Sequence, residues 1–160
     1  MSTGMERAGK KRRPVGPLRS VLTAGALTAG LLGGAVAAAP SAGAWGYAGE
    51  CKTTVKLSST GTQYVKTPAV WYKGGKNIRC WMDRGSTGPG VRVLQRALKS
   101  CYGRAIEVDG IFGLKTHNAL VWAQYREGIS PDGVYGEQTF KNLKFPNFWA
   151  SGKRNGCHRS

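Results

Sequence analysis

Acidic side chains are scarce in this sequence: 160 residues hold eight Asp and Glu against 24 Lys and Arg, and the only histidines are His117 and His158. Hydrolytic chemistry draws on nucleophile–base pairs, spaced carboxylates or zinc triads, and this inventory supplies none of them. No two of the four cysteines have the C-x-x-C spacing of a structural zinc site, so no metal or other cofactor is expected. A long run of Leu, Ile and Phe is also missing. The one extended uncharged stretch, residues 21–39, is built of Ala, Gly, Thr and Leu, which insert weakly, so a retained membrane anchor is disfavoured.

What precedes and follows that stretch gives it a meaning. Lys10, Lys11, Arg12 and Arg13 form a basic run before it, and Ala42, Gly43 and Ala44 form a small-residue site after it. That is the layout of an export signal over residues 1–44, with the mature chain starting near Trp45. Arg12 and Arg13 admit a twin-arginine route, but Pro14 follows them, and the general route fits at least as well. Residues 1–44 carry six basic residues and one acid, which leaves 18 basic and seven acidic side chains on 116 residues, a net +11. A cationic exported protein calls for an anionic partner outside the cell, such as wall polymers bearing carboxylates and phosphates, and nucleic acid is not expected.

Cys51, Cys80, Cys101 and Cys157 all fall in the exported part, so two disulfides are expected. Reach favours Cys80–Cys101, because residues 81–90 are long enough to run back along a ten-residue helix. Cys51–Cys157 would then join the two ends. The competing pairing is Cys51–Cys80 with Cys101–Cys157.

Two textures divide the mature chain. Residues 45–84 are rich in Thr, Val, Tyr, Trp and Lys, and segments 53–57, 63–65, 70–72 and 78–82 read as short strands or extended loops. About 40 residues bury little by themselves, so this stretch reads as an accessory segment tied down by disulfide. From Gly85 the apolar spacing turns helical. Val91, Leu94, Ala97, Leu98 and Cys101 predict a helix over 91–100, Thr116, Ala119, Leu120 and Ala123 one over 115–127, and Phe140 and Leu143 one over 137–144 ended by Pro146. Residues 146–160 read as a tail. The fold class expected is therefore mainly α.

The most informative feature is a repeat. VDGIFGLKTHNAL at 108–120 and PDGVYGEQTFKNL at 131–143 share Asp-Gly, an aliphatic–aromatic pair, Gly, Thr and Leu at matching positions. Asp-Gly makes a tight turn in which the carboxylate accepts from nearby backbone N–H groups and Gly takes an angle closed to other residues. The aromatic residue, Phe112 or Tyr135, anchors the loop, and Gly113 or Gly136 opens a helix with Thr116 or Thr139 in its first turn.

Together with Leu94-Gln95, Ala123-Gln124 and Gly128, the two D-G-x-x-G-x-x-T loops make residues 85–145 resemble the peptidoglycan-binding type 1 domain. That resemblance implies a three-helix bundle that binds cell-wall peptidoglycan. The loop residues Asp109, Phe112, Gly113, Thr116, Asp132, Tyr135, Gly136 and Thr139 are the candidate contacts, with the free N–H groups of the helix starts at Gly113 and Gly136 suited to a peptide-stem carboxylate. Cysteines flanking the first helix, Cys80 and Cys101, are similar to those of stand-alone secreted members. Trp122 and Tyr125, in the second helix, are further candidates because such rings stack on sugars or peptides.

The expectation is a secreted, wall-associated monomer without catalytic activity, free of the membrane once its signal is removed. A protein that engages or inhibits a wall enzyme is the alternative, and a wall hydrolase fits the inventory less well. Asp109 and Asp132 are read as turn-builders before ligand contacts or acid–base residues. The basic residues of 73–79 and Lys153-Arg154 are read as solvated faces that can also attract anionic polymer.

Overall fold

A computed structural model describes residues 46–160, so the export signal expected at 1–44 lies outside the described residues. Among the described residues no helix is long and apolar enough to cross a membrane. The described residues, 46–160, belong to one compact unit.

The chain opens with β1 (Gly49–Glu50), which pairs in parallel with β5 (Cys80–Trp81). Between them β2 (Thr53–Thr60) and β3 (Gln63–Tyr72) form an antiparallel hairpin, with Leu57 opposite Val65 and Val55 opposite Thr67. Burial alternates along β2, as expected where Thr, Val and Leu share a strand with Lys and Ser and one face meets the core. A two-residue turn at Lys73-Gly74, both at positive φ, folds β4 (Gly75–Asn77) back on β3.

Three helices follow. α1 (Pro89–Tyr102) has Pro near its start and Gly103 in the left-handed conformation at its end. α2 (Leu114–Arg126) starts after Gly113, and α3 (Glu137–Asn142) starts after Gly136. α3 is shorter than the spacing predicts, because Leu143 is already extended and leads directly into a strand.

That strand corrects the expected fold class. The described residues are not mainly α and not a three-helix bundle: 36% of them are strand against 29% helix. β6 (Lys144–Trp149) and β7 (Arg154–Arg159) occupy the stretch read as a helix end and tail. The sheet runs β2-β3-β6-β7, with β4 also on β3, and Gln63 lies opposite Trp149. Pro146 sits in β6 where the pairing with β7 is irregular, a place a sheet tolerates it. α1 packs against β3 and β6 on one side and α2 on the other, which explains why Val91, Val93, Leu94, Gln95, Ala97 and Leu98 are all buried. One apolar cluster joins Cys51, Val65, Met82 and Phe145 to Leu98, Leu120, Tyr135 and Leu143.

The disulfides are Cys51–Cys80 and Cys101–Cys157, not the pairing that chain reach favours. Parallel pairing of β1 with β5 brings Cys51 to Cys80, and both lie near the start of α1, where the Cys51 carbonyl abuts Gly90. Cys101 is near the other end, roughly 15 Å away at 1.5 Å per residue. There β7 docks, with Arg154 donating to the Ser100 carbonyl at 2.9 Å.

Candidate functional site

The two Asp-Gly loops are built alike, each around one buried glutamine. Gln95 of α1 donates through Nε2 to Asp109 Oδ1 (2.7 Å), the Ile111 carbonyl (3.0 Å) and Thr116 Oγ1 (3.1 Å), while its Oε1 accepts from Gly110 N–H (2.8 Å). Gln124 of α2 donates to Asp132 Oδ1 (2.8 Å), the Val134 carbonyl (3.0 Å) and Thr139 Oγ1 (3.0 Å), and accepts from Gly133 N–H (2.8 Å). Two amide hydrogens facing three acceptors means one is shared. Each threonine hydroxyl in turn donates to the loop carbonyl, Thr116 to Ile111 and Thr139 to Val134.

Asp109 and Asp132 also accept from the N–H two residues on, at Ile111 and Val134. Donation by Ile111 N–H, and then by Gln95, holds the Asp109 carboxyl below its ordinary value. Gly110 and Gly133 need their glycines twice over. Their φ is positive, and a Cβ would strike the Arg92 side chain at the first and the His117 ring at the second.

Several candidates therefore serve the loops from within. Phe112 and Tyr135 are buried to 1% and 0% exposure, which places them in the core rather than on a contact surface. Isolated bridges, Thr87 with Ile111 and Met82 with Tyr135, hold the two loops to the segment entering α1. Asp109, Thr116, Asp132 and Thr139 are engaged in the glutamine networks.

The helix starts differ in access. Gly113 opens on free space beside a depression of about 250 Å³ lined by Ile106, Glu107, Ile111, Leu114 and Lys115. At Gly136 the Tyr47 hydroxyl fills the space and accepts from Glu137 N–H at 3.4 Å. The amino-terminal segment thus covers the second start and leaves the first open.

Along the outer face of α2, Asn118, Val121, Trp122 and Tyr125 recur at helical spacing and, with Pro131, line an open groove of about 390 Å³. Tyr125 is 73% exposed, and Trp122 is half-buried. The guanidiniums of Arg104 and Arg126 lie 4.6 and 4.9 Å from the Trp122 ring centroid. Sequence reasoning gave neither the arginines nor the bracing role of Gln95 and Gln124. A polar residue on each buried helical stripe was the available signal for the glutamines. Nothing local links Arg104 to Trp122.

On β3, Trp71 is 64% and Tyr72 44% exposed, with Lys76 and Lys73 beside them. Among the described residues no three His, Cys, Asp or Glu side chains gather as metal ligands do.

Residues 87–143 match the family described as "Putative peptidoglycan binding domain". Over 65 residues the chain is 40% identical to N-acetylmuramoyl-L-alanine amidase CwlM of Mycobacterium tuberculosis, a match covering 41% of this chain and 16% of that protein. It is also 40% identical over 63 residues to the amidase CwlL of Bacillus licheniformis, covering 36% of this chain and 18% of the relative. The chain thus spans less than a fifth of each of these curated relatives. Among solved structures, the SleB N-terminal domain is 36% identical, covering 38% of this chain and 84% of that one, with a TM-score of 0.37. A peptidoglycan-binding protein from Clostridioides difficile, solved with glutamine hydroxamate, is 26% identical, covers 46% and 53% of the two chains, and has a TM-score of 0.36.

Proposed function

We propose, from the match of residues 87–143 to the family described as "Putative peptidoglycan binding domain", that this chain is an exported, non-catalytic protein that attaches to the bacterial cell wall through peptidoglycan. The family match carries the proposal. The contact face is the open start of α2 at Gly113 together with the outward line of Leu114, Trp122 and Tyr125. Asp109, Thr116, Asp132 and Thr139 shape that face through the glutamine networks, and the covered Gly136 stays out of contact.

The absence of catalysis is supported by what five of the seven acids of residues 46–160 already do. Asp109 and Asp132 hold turns, Glu127 is tied to Arg159 and Lys144, Glu137 to Lys141, and Glu50 to Lys52. The excess of basic residues supports a second, ionic part of the attachment, to anionic wall polymer.

Co-sedimentation with purified sacculi tests the reading. The protein should be retained by sacculi stripped of teichoic acid more strongly than a cationic control of similar size, and equal retention would sink the proposal. Raising salt from about 50 to about 500 mM, which shortens the screening length severalfold, should weaken binding to unstripped walls. No soluble fragments should be released on prolonged incubation.

A further inference from the structure

We propose that Arg104, Trp122 and Arg126 form a carboxylate-binding subsite, and that it takes the free carboxylates of the peptidoglycan stem peptide; this rests on the wall-binding reading above. Trp122 and Arg126 are one helical turn apart on α2 and so share a face. Arg104 arrives from the turn that ends α1, where its N–H donates to the Leu98 carbonyl at 3.1 Å. Two guanidiniums are thereby gathered on one indole.

Nothing among the described residues neutralises them. Among the described residues neither arginine forms an ion pair, and Arg104 Nε is sealed from solvent without an acceptor. The neighbouring carboxylate, Glu127, is already committed: Oε1 to the Tyr102 hydroxyl and Lys144, Oε2 to Arg159. Like charges held together without a counter-charge, one of them on the exposed Arg126, fit a site that an anion completes. A planar guanidinium suits a carboxylate in particular, because it donates in parallel to both oxygens.

The surroundings choose among anions. Beside the arginines runs the groove of Val121, Tyr125 and Pro131, with the Asn118 amide on its wall. An apolar trough with one amide suits the alkyl side chains and backbone of a short peptide. The polyol phosphate of an anionic wall polymer has no use for it. Stacking of sugar on Trp122 is disfavoured, because guanidiniums already lie against that ring.

The test uses isotope-labelled protein titrated with three soluble probes: a disaccharide-peptide fragment of peptidoglycan, the same fragment with its carboxylates amidated, and peptide-free glycan. The acidic fragment should shift the Trp122 indole N–H, and amidation should weaken binding about tenfold, the scale of one charge-assisted hydrogen bond. Arg104→Gln and Arg126→Gln should each weaken it similarly, with Arg→Lys variants in between because they keep the charge and lose the fork. Equal binding of acid and amide, or shifts that leave Trp122 unmoved, would overturn the subsite. Titration of the unaltered protein gives this answer even where a variant fails to fold. Co-sedimentation with stripped sacculi runs alongside. Unaltered protein that is not retained overturns the wall reading and this proposal together, whereas retained protein with a silent Trp122 overturns this one alone.

Discussion

Gln124 has one side chain and four hydrogen-bonding partners, of which the Gly133 N–H and the Thr139 hydroxyl belong to buried residues. Gln124→Ala strands the buried Gly133 N–H and takes one partner from the Thr139 hydroxyl around a small cavity, so unfolding should become easier by about 2 kcal/mol. The shift should appear in the urea midpoint with the slope unchanged. Tyr135 predicts the opposite sign. Its ring is wholly buried and its hydroxyl finds no partner among the described residues, so burial pushes the phenol pKa up. Tyr135→Phe should therefore stabilise by about 1 kcal/mol, and any loss of stability counts against this account of the hydroxyl. Charge acts at the same scale in Glu127. Burial alone would raise its carboxyl, but hydrogen bonds from Arg159 and Tyr102 and the charges of Lys144 and Arg159 overcome that and hold it below its ordinary 4.5. A depressed carboxylate contributes stability above its unfolded pKa and loses it as pH falls through the folded value. Melting temperature should thus be level near neutrality and drop below about pH 4.5. Arg159→Gln should lower it at neutrality and converge on the parent in acid; a constant offset down to about pH 2 would contradict the assignment. These roles were partly legible. Asp-Gly spelled out both turns in the sequence, whereas the glutamines that brace them were hidden because their partners lie 14 and eight residues away.

At the scale of elements, two glycines separate a rigid contact from a yielding one. A side chain on Gly90 would collide with the Cys51 carbonyl, which is backbone and tied down by Cys51–Cys80. Alanine gains roughly 1 kcal/mol over glycine in a helix interior, but the carbonyl cannot swing aside. Gly90→Ala should cost about 2 kcal/mol or more despite that gain. A side chain on Gly136 would meet only the Tyr47 hydroxyl, the far end of a side chain that can rotate, and φ of −154° suits any residue. Gly136→Ala should stay within about 1 kcal/mol of the parent, and adding Tyr47→Ala should remove most of what it costs. Thermal unfolding of the parent, Gly90→Ala, Gly136→Ala, Tyr47→Ala and the double variant checks the contrast, and equal losses at the two glycines would refute it. Helix positions were readable to within a few residues because their apolar spacing is local. β6 was misread as a helix end because its partner β3 lies some 80 residues upstream, and its own six residues, with a proline among them, carry no clean two-residue alternation.

On the scale of the whole molecule, the family match stops at residue 143, just before the strand that closes the core. Its longest helix is covered on one side by α2 and on the other by β3 and β6. Cys51, Val65, Cys80 and Phe145, all buried at 0% or 1%, come from outside the matched residues and pack in the same cluster as Leu94 and Leu98. The covalent ties follow the same plan. Cys101–Cys157 closes a separation of 56 residues and fastens β7 to the end of α1, a constraint that contributes about 4 kcal/mol in the chain-entropy model. Residues 85–145 alone would keep the helices and both glutamine networks, yet lose the sheet that covers α1. Val93, which lies against Lys66, Pro146 and Phe148 of β3 and β6, and Ala97 one turn on then meet water, and a chain of that length has little other core to draw on. The fragment should accordingly be helical by far-ultraviolet circular dichroism, bind a hydrophobic dye, and lack the cooperative thermal transition of residues 46–160. A fragment that melts cooperatively at the temperature of the longer chain would mean that the sheet rests on the helices without stabilising them.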